Sequence, residues 1–209
     1  MLITKKLWGN NYDLALLSLK TNFVQGIKTG KLPKKEFQEY VAQDSYFLDS
    51  FAKGYKMAIN KSTSNRSKEI LCKLLQGVKD ELVLHEKYAK QWGVDLQGNK
   101  IKISTKKYTD FLENISLNCS YVEILCAMSP CRRLYAWLGK KLERELKDNP
   151  YREWIKTYAD DDFEKLAKSL ENLIDTNGKL NLQKANDIYK EAMTLEFEFF
   201  QSYSGFLLY

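Results

Sequence analysis

Residues 37–55 read FQEYVAQDSYFLDSFAKGY, and this stretch decides the fold class. Its large apolar side chains recur every three or four residues, the spacing that places them on one face of an α-helix. They are Phe37, Tyr40, Val41, Leu48, Phe51 and Tyr55. The pattern predicts a long amphipathic helix that ends near Lys61.

The rest of the chain repeats this helical spacing, interrupted by short polar or glycine-containing segments. We predict helices at residues 12–28, 33–61, 68–92, from 108, 121–147, 151–158, 163–174 and 182–206. Residues 62–67 are predicted to form a loop, and residues 95–105 a loop that holds an extended turn. Pro130 is expected to kink or restart its helix. The predicted fold is an all-α bundle, with residues 1–209 forming one domain.

Composition and charge exclude several classes of protein. With 44% hydrophobic and 29% charged residues, the chain is neither a disordered tail nor a fibre. The net charge of +6 is spread over interspersed acids and bases, and the basic stretch 100–107 lacks the patterns of nucleic-acid modules, so we expect no nucleic-acid partner. No segment approaches the ~18 apolar residues of a membrane span, and no leader precedes the first lysines, so a cytoplasmic protein without a membrane partner is expected.

Two carboxylates lie on apolar helix faces. Asp44 is seven residues from both Phe37 and Phe51, and Glu196 lies three residues before Phe199. Burying an unpaired carboxylate costs several kcal/mol or raises its pKa. Each is therefore either a structural acid bonded to a neighbouring tyrosine or backbone group, or a functional group in an enclosed polar pocket.

Cys131 is a third candidate. It follows Pro130 and shares a predicted face with Leu134 and Leu138. A thiol near a helix start has its pKa lowered by the helix dipole and becomes nucleophilic. The alternative is a buried cysteine that acts as a small apolar side chain. The four cysteines form no C-x-x-C pair, and we interpret them as reduced thiols.

The sequence offers few ligands for a metal. Its one histidine, His85, lies four residues after Glu81. Helical-bundle metal sites generally use Glu-x-x-His pairs on facing helices, so we expect no metal and no haem. His85 is then a hydrogen-bonded core or surface histidine.

Five separated blocks carry a resemblance to a known family. They read FVQGIKTGKLP at 23–33, YVAQDSYFL at 40–48, EILCAMSPCRRLYAWLG at 123–139, PYREWIKTY at 150–158 and LEFEFF at 195–200. In order and spacing these blocks resemble the TenA or thiaminase II family of aminopyrimidine hydrolases.

The resemblance implies a fold and an activity. The fold is a haem-oxygenase-like helical bundle, usually a homotetramer, that needs no metal, haem or other cofactor. The reaction converts 4-amino-5-aminomethyl-2-methylpyrimidine to the hydroxymethyl pyrimidine and ammonia, and more slowly splits thiamine. The family's role is thiamine salvage.

The resemblance also assigns roles. Cys131 matches the nucleophile that adds to the pyrimidine ring, and Glu196 the acid that protonates a ring nitrogen. Asp44 matches the carboxylate that holds the aminopyrimidine edge, and Phe47 an aromatic wall against the ring. Three tyrosines match residues that hydrogen-bond within the pocket: Tyr108, Tyr135 and Tyr158.

The chain departs from the family pattern around the thiol. Arg132, Arg133 and Trp137 stand where many members carry other residue types, which affects the expected substrate range. Two other functions remain open from the sequence. One is a non-catalytic binding or regulatory protein that keeps the pyrimidine pocket. The other is a metal-dependent oxidase or quinone-cofactor enzyme on the same bundle, which the single histidine disfavours.

Overall fold

The computed structural model describes residues 2–94, 96, 100–143, 148–176 and 180–203. Within these residues the chain forms ten α-helices and no strand, so the all-α prediction is confirmed. The helices are α1 (Ile3–Asn10), α2 (Tyr12–Lys20), α3 (Asn22–Thr29), α4 (Lys34–Lys61), α5 (Asn65–Trp92), α6 (Ile103–Asn118), α7 (Tyr121–Leu142), α8 (Arg152–Ala159), α9 (Asp161–Asp175) and α10 (Leu182–Gln201).

Two long helices organise the bundle. Helix α4 packs mainly against α5 and α6, and α7 packs mainly against α8, α9 and α10. Side chains from all ten helices join one buried apolar cluster or pack against it. No helix in the described part of the chain is both long and apolar enough to cross a membrane. That residues 1–209 form one domain stays a prediction.

The N-terminal helices differ from the prediction. The predicted helix 12–28 is wrong as one element, because Thr21 is extended and its hydroxyl accepts a hydrogen bond from the Val24 amide at 3.3 Å, which starts α3. Helix α1 was not predicted because little of it is buried. It is held by the Thr4 hydroxyl, which donates to Asp175 at 2.8 Å, a contact that apolar spacing does not reveal.

Two predicted loops are shorter in the structure. The loop at 62–67 is wrong over its last residues, because Ser64 accepts from the Ser67 amide and α5 begins at Asn65. Helix α6 begins at Ile103, inside the predicted loop 95–105. Residues 95 and 97–99 of the predicted loop, which was expected to hold an extended turn, lie outside the described residues, as do the predicted helix ends at 147 and 206. Helix α10 already ends at Gln201.

Pro130 does not restart the helix. Helix α7 runs without interruption from Tyr121 to Leu142 and contains Pro130 in its interior. Its N-terminus is instead a capping box, in which Glu123 accepts from the Ser120 amide at 2.8 Å. Cys131 therefore lies in the middle of a helix. The prediction that it sits near a helix start is wrong.

Helices α7 and α8 approach each other closely at Gly139. A Cβ at this position would collide with the backbone of Tyr158 and Ala159. Gly139→Ala is expected to lower the free energy of unfolding by about 1–3 kcal/mol, because overpacking outweighs the helix propensity gained. Urea unfolding measures the change.

Gly9→Ala is the matched control. Gly9 also lies in a helix, but a Cβ there meets no described atom within 4 Å. We expect this variant to be as stable as the parent or more stable by a few tenths of a kcal/mol, up to about 1. If Gly139→Ala behaved like Gly9→Ala, the close approach of α7 and α8 would be wrong.

Candidate active site

The seven residues singled out in the sequence are buried and lie in one region. They come from α4, α6, α7, α8 and α10, and each is at most 8% exposed. Ring contacts, hydrogen bonds and electrostatic interactions connect the seven residues to one another, directly or through Tyr40. They are Asp44, Phe47, Tyr108, Cys131, Tyr135, Tyr158 and Glu196.

Glu196 lies between a tyrosine and the thiol. The Tyr108 hydroxyl donates to Glu196 Oε1 at 2.8 Å, and the Cys131 thiol interacts with the same carboxyl group. Burial raises the pKa of Glu196 to about 7, and the Tyr108 hydroxyl and the Cys131 thiol oppose the rise. At neutral pH this carboxyl therefore both accepts and donates a proton readily.

The Cys131 thiol is a poor acid in the resting structure. Burial raises its pKa well above the ordinary value, the Glu196 carboxylate raises it further, and the Arg132 guanidinium lowers it. The predicted lowering by a helix dipole is therefore wrong, since the residue is not at a helix start. A thiolate at this position needs a base that removes its proton, and Glu196 is a carboxyl group that interacts with the thiol.

Asp44 is paired with the histidine. His85 Nε2 lies 3.2 Å from Asp44 Oδ2, and both side chains are buried. Burial raises the pKa of the Asp44 carboxyl, and the nearby carboxylates of Glu81 and Glu196 raise it further. Burial lowers the pKa of His85 to about 4, so the imidazole is neutral at pH 7 and the contact is a hydrogen bond.

Tyr40 connects Asp44 to the tyrosines. Its hydroxyl donates to Asp44 Oδ2 at 3.3 Å, lies 3.3 Å from the Tyr135 hydroxyl and accepts from Trp154 Nε1 at 3.2 Å. The Tyr135 and Tyr158 rings are 4.7 Å apart. This network fixes one side of the site by hydrogen bonds within the protein.

Phe47 lies one turn after Asp44 on α4, whereas Tyr40 lies one turn before it. Its ring centroid is 4.7 Å from that of Tyr108 and 5.2 Å from that of Phe51, against which it stacks. An aromatic face beside a carboxylate is suited to a flat, hydrogen-bonding heterocycle.

The residues that depart from the family pattern separate into two groups. Arg132 is buried next to Cys131 and pairs with Glu81. Arg133 points the other way and pairs with Glu164 and Glu171 on α9. Trp137 packs against Trp8 and Tyr12, away from the candidate site.

Sequence reasoning missed three partners in this region. Tyr40 was assigned to the core, but its position one turn before Asp44 was a usable signal. Glu81 and His85 are one turn apart on α5. Glu81 was considered only as a metal ligand, whereas the interpretation of His85 as a hydrogen-bonded core histidine is confirmed, with Asp44 as the partner that was missed. Within the described residues, no group of three or more His, Cys, Asp or Glu side chains is arranged to hold a metal ion.

The architecture is that of a haem-oxygenase-like helical bundle with a cluster of buried polar side chains. A protein from Shewanella denitrificans OS217 described as having this fold matches with a TM-score of 0.77 at 13% identity, over 96% of this chain and 91% of that chain. A TenA homologue from P. horikoshii OT3 matches with a TM-score of 0.89 at 23% identity, over 97% of this chain and 98% of that chain.

The sequence profile of the TENA/THI-4/PQQC family matches residues 21–205, and the chain belongs to this family. An aminopyrimidine aminohydrolase from Halalkalibacterium halodurans is 33% identical over 75% of this chain and 73% of that protein. The bifunctional TH2 protein, mitochondrial, of Arabidopsis thaliana is 29% identical over 94% of this chain, and the chain spans about a third (36%) of that relative's length. The resemblance found in the sequence is confirmed.

Proposed function

We propose that this chain hydrolyses 4-amino-5-aminomethyl-2-methylpyrimidine to the hydroxymethyl pyrimidine and ammonia, as a step in thiamine salvage. At the level of class the chain is a hydrolase that acts on C–N bonds, of the thiaminase II type. The observation that carries the specific proposal is Glu196, a buried carboxyl group with a pKa of about 7 that accepts a hydrogen bond from Tyr108 and interacts with the Cys131 thiol.

The proposed reaction begins with a proton transfer. The Glu196 carboxylate removes the proton of the Cys131 thiol, and the thiolate adds to the pyrimidine ring. Glu196 then delivers this proton to a ring nitrogen, so that the ring does not accumulate negative charge. One group serves as base and acid in turn because its pKa is close to neutrality.

The remaining steps break and form one bond each. Addition of the thiolate pushes electrons toward the exocyclic methylene, the C–N bond breaks, and the amine leaves as ammonia after taking up a proton. Water adds to the methylene and supplies the hydroxyl group. Expulsion of the Cys131 thiolate restores the aromatic ring, so the net reaction consumes one water and releases one ammonia.

Residues other than Cys131 and Glu196 bind the pyrimidine in this proposal. Asp44, held by Tyr40 and His85, accepts hydrogen bonds from the amino group on the ring edge. The ring lies against Phe47, and Tyr135 and Tyr158 hydrogen-bond within the pocket. Hydrogen bonds within the protein hold Asp44 and the tyrosines in place before the substrate arrives. Less conformational entropy is therefore lost on binding.

Ammonia release from the purified protein tests the proposal directly. Turnover of the aminomethyl pyrimidine, with thiamine as a second substrate, is the expected result. Saturable binding of the pyrimidine without turnover would indicate a binding protein on the same fold.

We further propose that the protein is a cytoplasmic homotetramer that uses no cofactor. Light scattering on a size-exclusion column measures the number of subunits.

Tyr108→Phe provides a pH test of the proton transfer. The Tyr108 hydroxyl stabilises the Glu196 carboxylate, so its loss raises the pKa of Glu196 above about 7. Turnover requires the carboxylate form and should rise with pH through this pKa. We expect the midpoint of the rise to move to higher pH in Tyr108→Phe. Tyr12→Phe, at a tyrosine packed against Trp8 and Trp137, is the control and should leave the midpoint unchanged.

A further inference from the structure

A buried ion pair is formed by the residue that follows Cys131, and the proposed reaction does not use it. Arg132 follows Cys131 on α7 and is only 1% exposed. Its guanidinium group pairs with Glu81 of α5, which is largely buried. Burying two charges is costly unless they are held in good geometry, so a pair in this position calls for an explanation.

Two aromatic rings hold the guanidinium group in place. Its Cζ atom lies 5.5 Å from the ring centroid of Phe51 on α4 and 5.1 Å from that of Phe163 on α9. Together with Glu81, these contacts fix the charge from three neighbouring helices. The charge therefore stays inside the bundle and cannot move out to solvent as surface arginines do.

The groups around the thiol are otherwise acidic or neutral. Those that face this region are Asp44 and Tyr55 on α4, Glu81 and His85 on α5, Tyr108 on α6, Arg132 on α7, Tyr158 on α8 and Glu196 on α10. Glu164 and Glu171 on α9 are occupied by Arg133. Among these described groups Arg132 alone is positively charged at pH 7, since His85 is neutral.

We propose that Arg132 is a positioning residue for Cys131: its guanidinium group stabilises the thiolate, and Glu81 holds that group and partly neutralises it. The proposal rests on the proposed function, because it concerns how the nucleophile of that reaction forms. Within the described residues Arg132 Nε and Nη2 make no well-formed hydrogen bond, although the Tyr55 hydroxyl interacts with this group, so Glu81 satisfies only part of the guanidinium group's hydrogen-bonding capacity. The direction of the electrostatic effects agrees, since Arg132 lowers the pKa of the thiol and Glu81 raises it.

The two members of the pair should act in opposite directions. Glu81→Gln keeps the size of the side chain and leaves the guanidinium charge uncompensated, so the thiolate becomes easier to form. Arg132→Met keeps an apolar stem between the two rings and removes the charge. Glu81 then takes up a proton because burial raises its pKa, so both charges of the pair are lost and the thiolate becomes harder to form.

The rate of alkylation by iodoacetamide reports the thiolate without any substrate. Mass spectrometry of the peptide that contains Cys131 measures it at several pH values, with exposed Cys72 in the same sample as an internal reference. We expect the Cys131 rate at a given pH to rise about tenfold in Glu81→Gln, the factor given by one unit of thiol pKa, and to fall several-fold in Arg132→Met.

Arg133→Met is the matched control, because Arg133 is the next residue and its charge is paired on α9. It should leave the Cys131 rate unchanged. If the pair had a purely structural role, Glu81→Gln and Arg132→Met would change the Cys131 alkylation rate in the same direction, in step with a loss of stability in urea. That result, equal rates in all four proteins, or no alkylation of Cys131 in any of them would overturn the proposal.

The outcome is separable from that of the proposed function. Opposite shifts in alkylation without ammonia release would support the role of the pair and contradict the proposed hydrolysis. If the protein released ammonia but the two substitutions left the Cys131 alkylation rate unchanged, the proposed hydrolysis would be supported and the role of the pair overturned.

Discussion

The Cys131→Ser variant is expected to lose turnover by on the order of a thousandfold or more while it still binds the aminopyrimidine. A serine hydroxyl fills nearly the same space as the thiol but is a far weaker acid and nucleophile, and Glu196 at a pKa of about 7 is too weak a base to ionise it. The binding wall formed by Asp44 and Phe47 is unchanged. Ammonia release measures the turnover, and isothermal titration calorimetry measures the binding.

Cys126→Ser is the matched control for this prediction. Cys126 lies on the same helix and is fully buried, and burial raises its thiol pKa to about 12, but it is not part of the candidate site. Its replacement should lower stability slightly and leave kcat within a few-fold of the parent. If Cys131→Ser retained most of its activity, or if both variants lost activity equally, Cys131 would not be the nucleophile.

The fold class and two buried acids were predictable because they depend on spacing within one helix. The apolar residues around Asp44 and Glu196 recur at helical intervals, which indicates an inward face before any neighbour is known. The same reasoning failed at Thr21, where two helices meet. Buried residues recur at short intervals on both sides of this point, so their spacing does not reveal the break in the backbone.

Side-chain partners on other helices were not predictable in the same way. His85 meets Asp44, Glu81 meets Arg132 and Tyr108 meets Glu196 across different helices. Such contacts depend on the relative rotation and height of packed helices, which a single sequence does not state. Pro130 shows the converse: local preference favours a break, but the packing of α7 against its neighbours keeps the helix continuous.

The protonation of Glu196 leads to the second large effect. Glu196→Gln keeps the shape of the side chain and can accept a hydrogen bond from Tyr108, but it cannot take the thiol proton or pass a proton to the ring. We expect kcat to fall by about 10²–10⁴-fold, the usual contribution of general acid–base catalysis. Glu198→Gln is the matched control, because Glu198 is on the same helix and pairs with Lys107 at the surface. It should keep the parent activity.

The pH dependence distinguishes this role from simple loss of packing. The pKa of Glu196 in the folded protein is raised to about 7, so its carboxylate predominates above that pH and is lost as the pH falls through it. The thiol keeps its proton throughout this range because burial raises its pKa well above the ordinary value. The reactive form, with one proton shared by the two groups, therefore increases as the pH rises through about 7. Residual turnover of Glu196→Gln should lack this rise, whereas Glu198→Gln should retain it. A Glu196→Gln profile that still rises through the same pH would assign the proton transfer to another group.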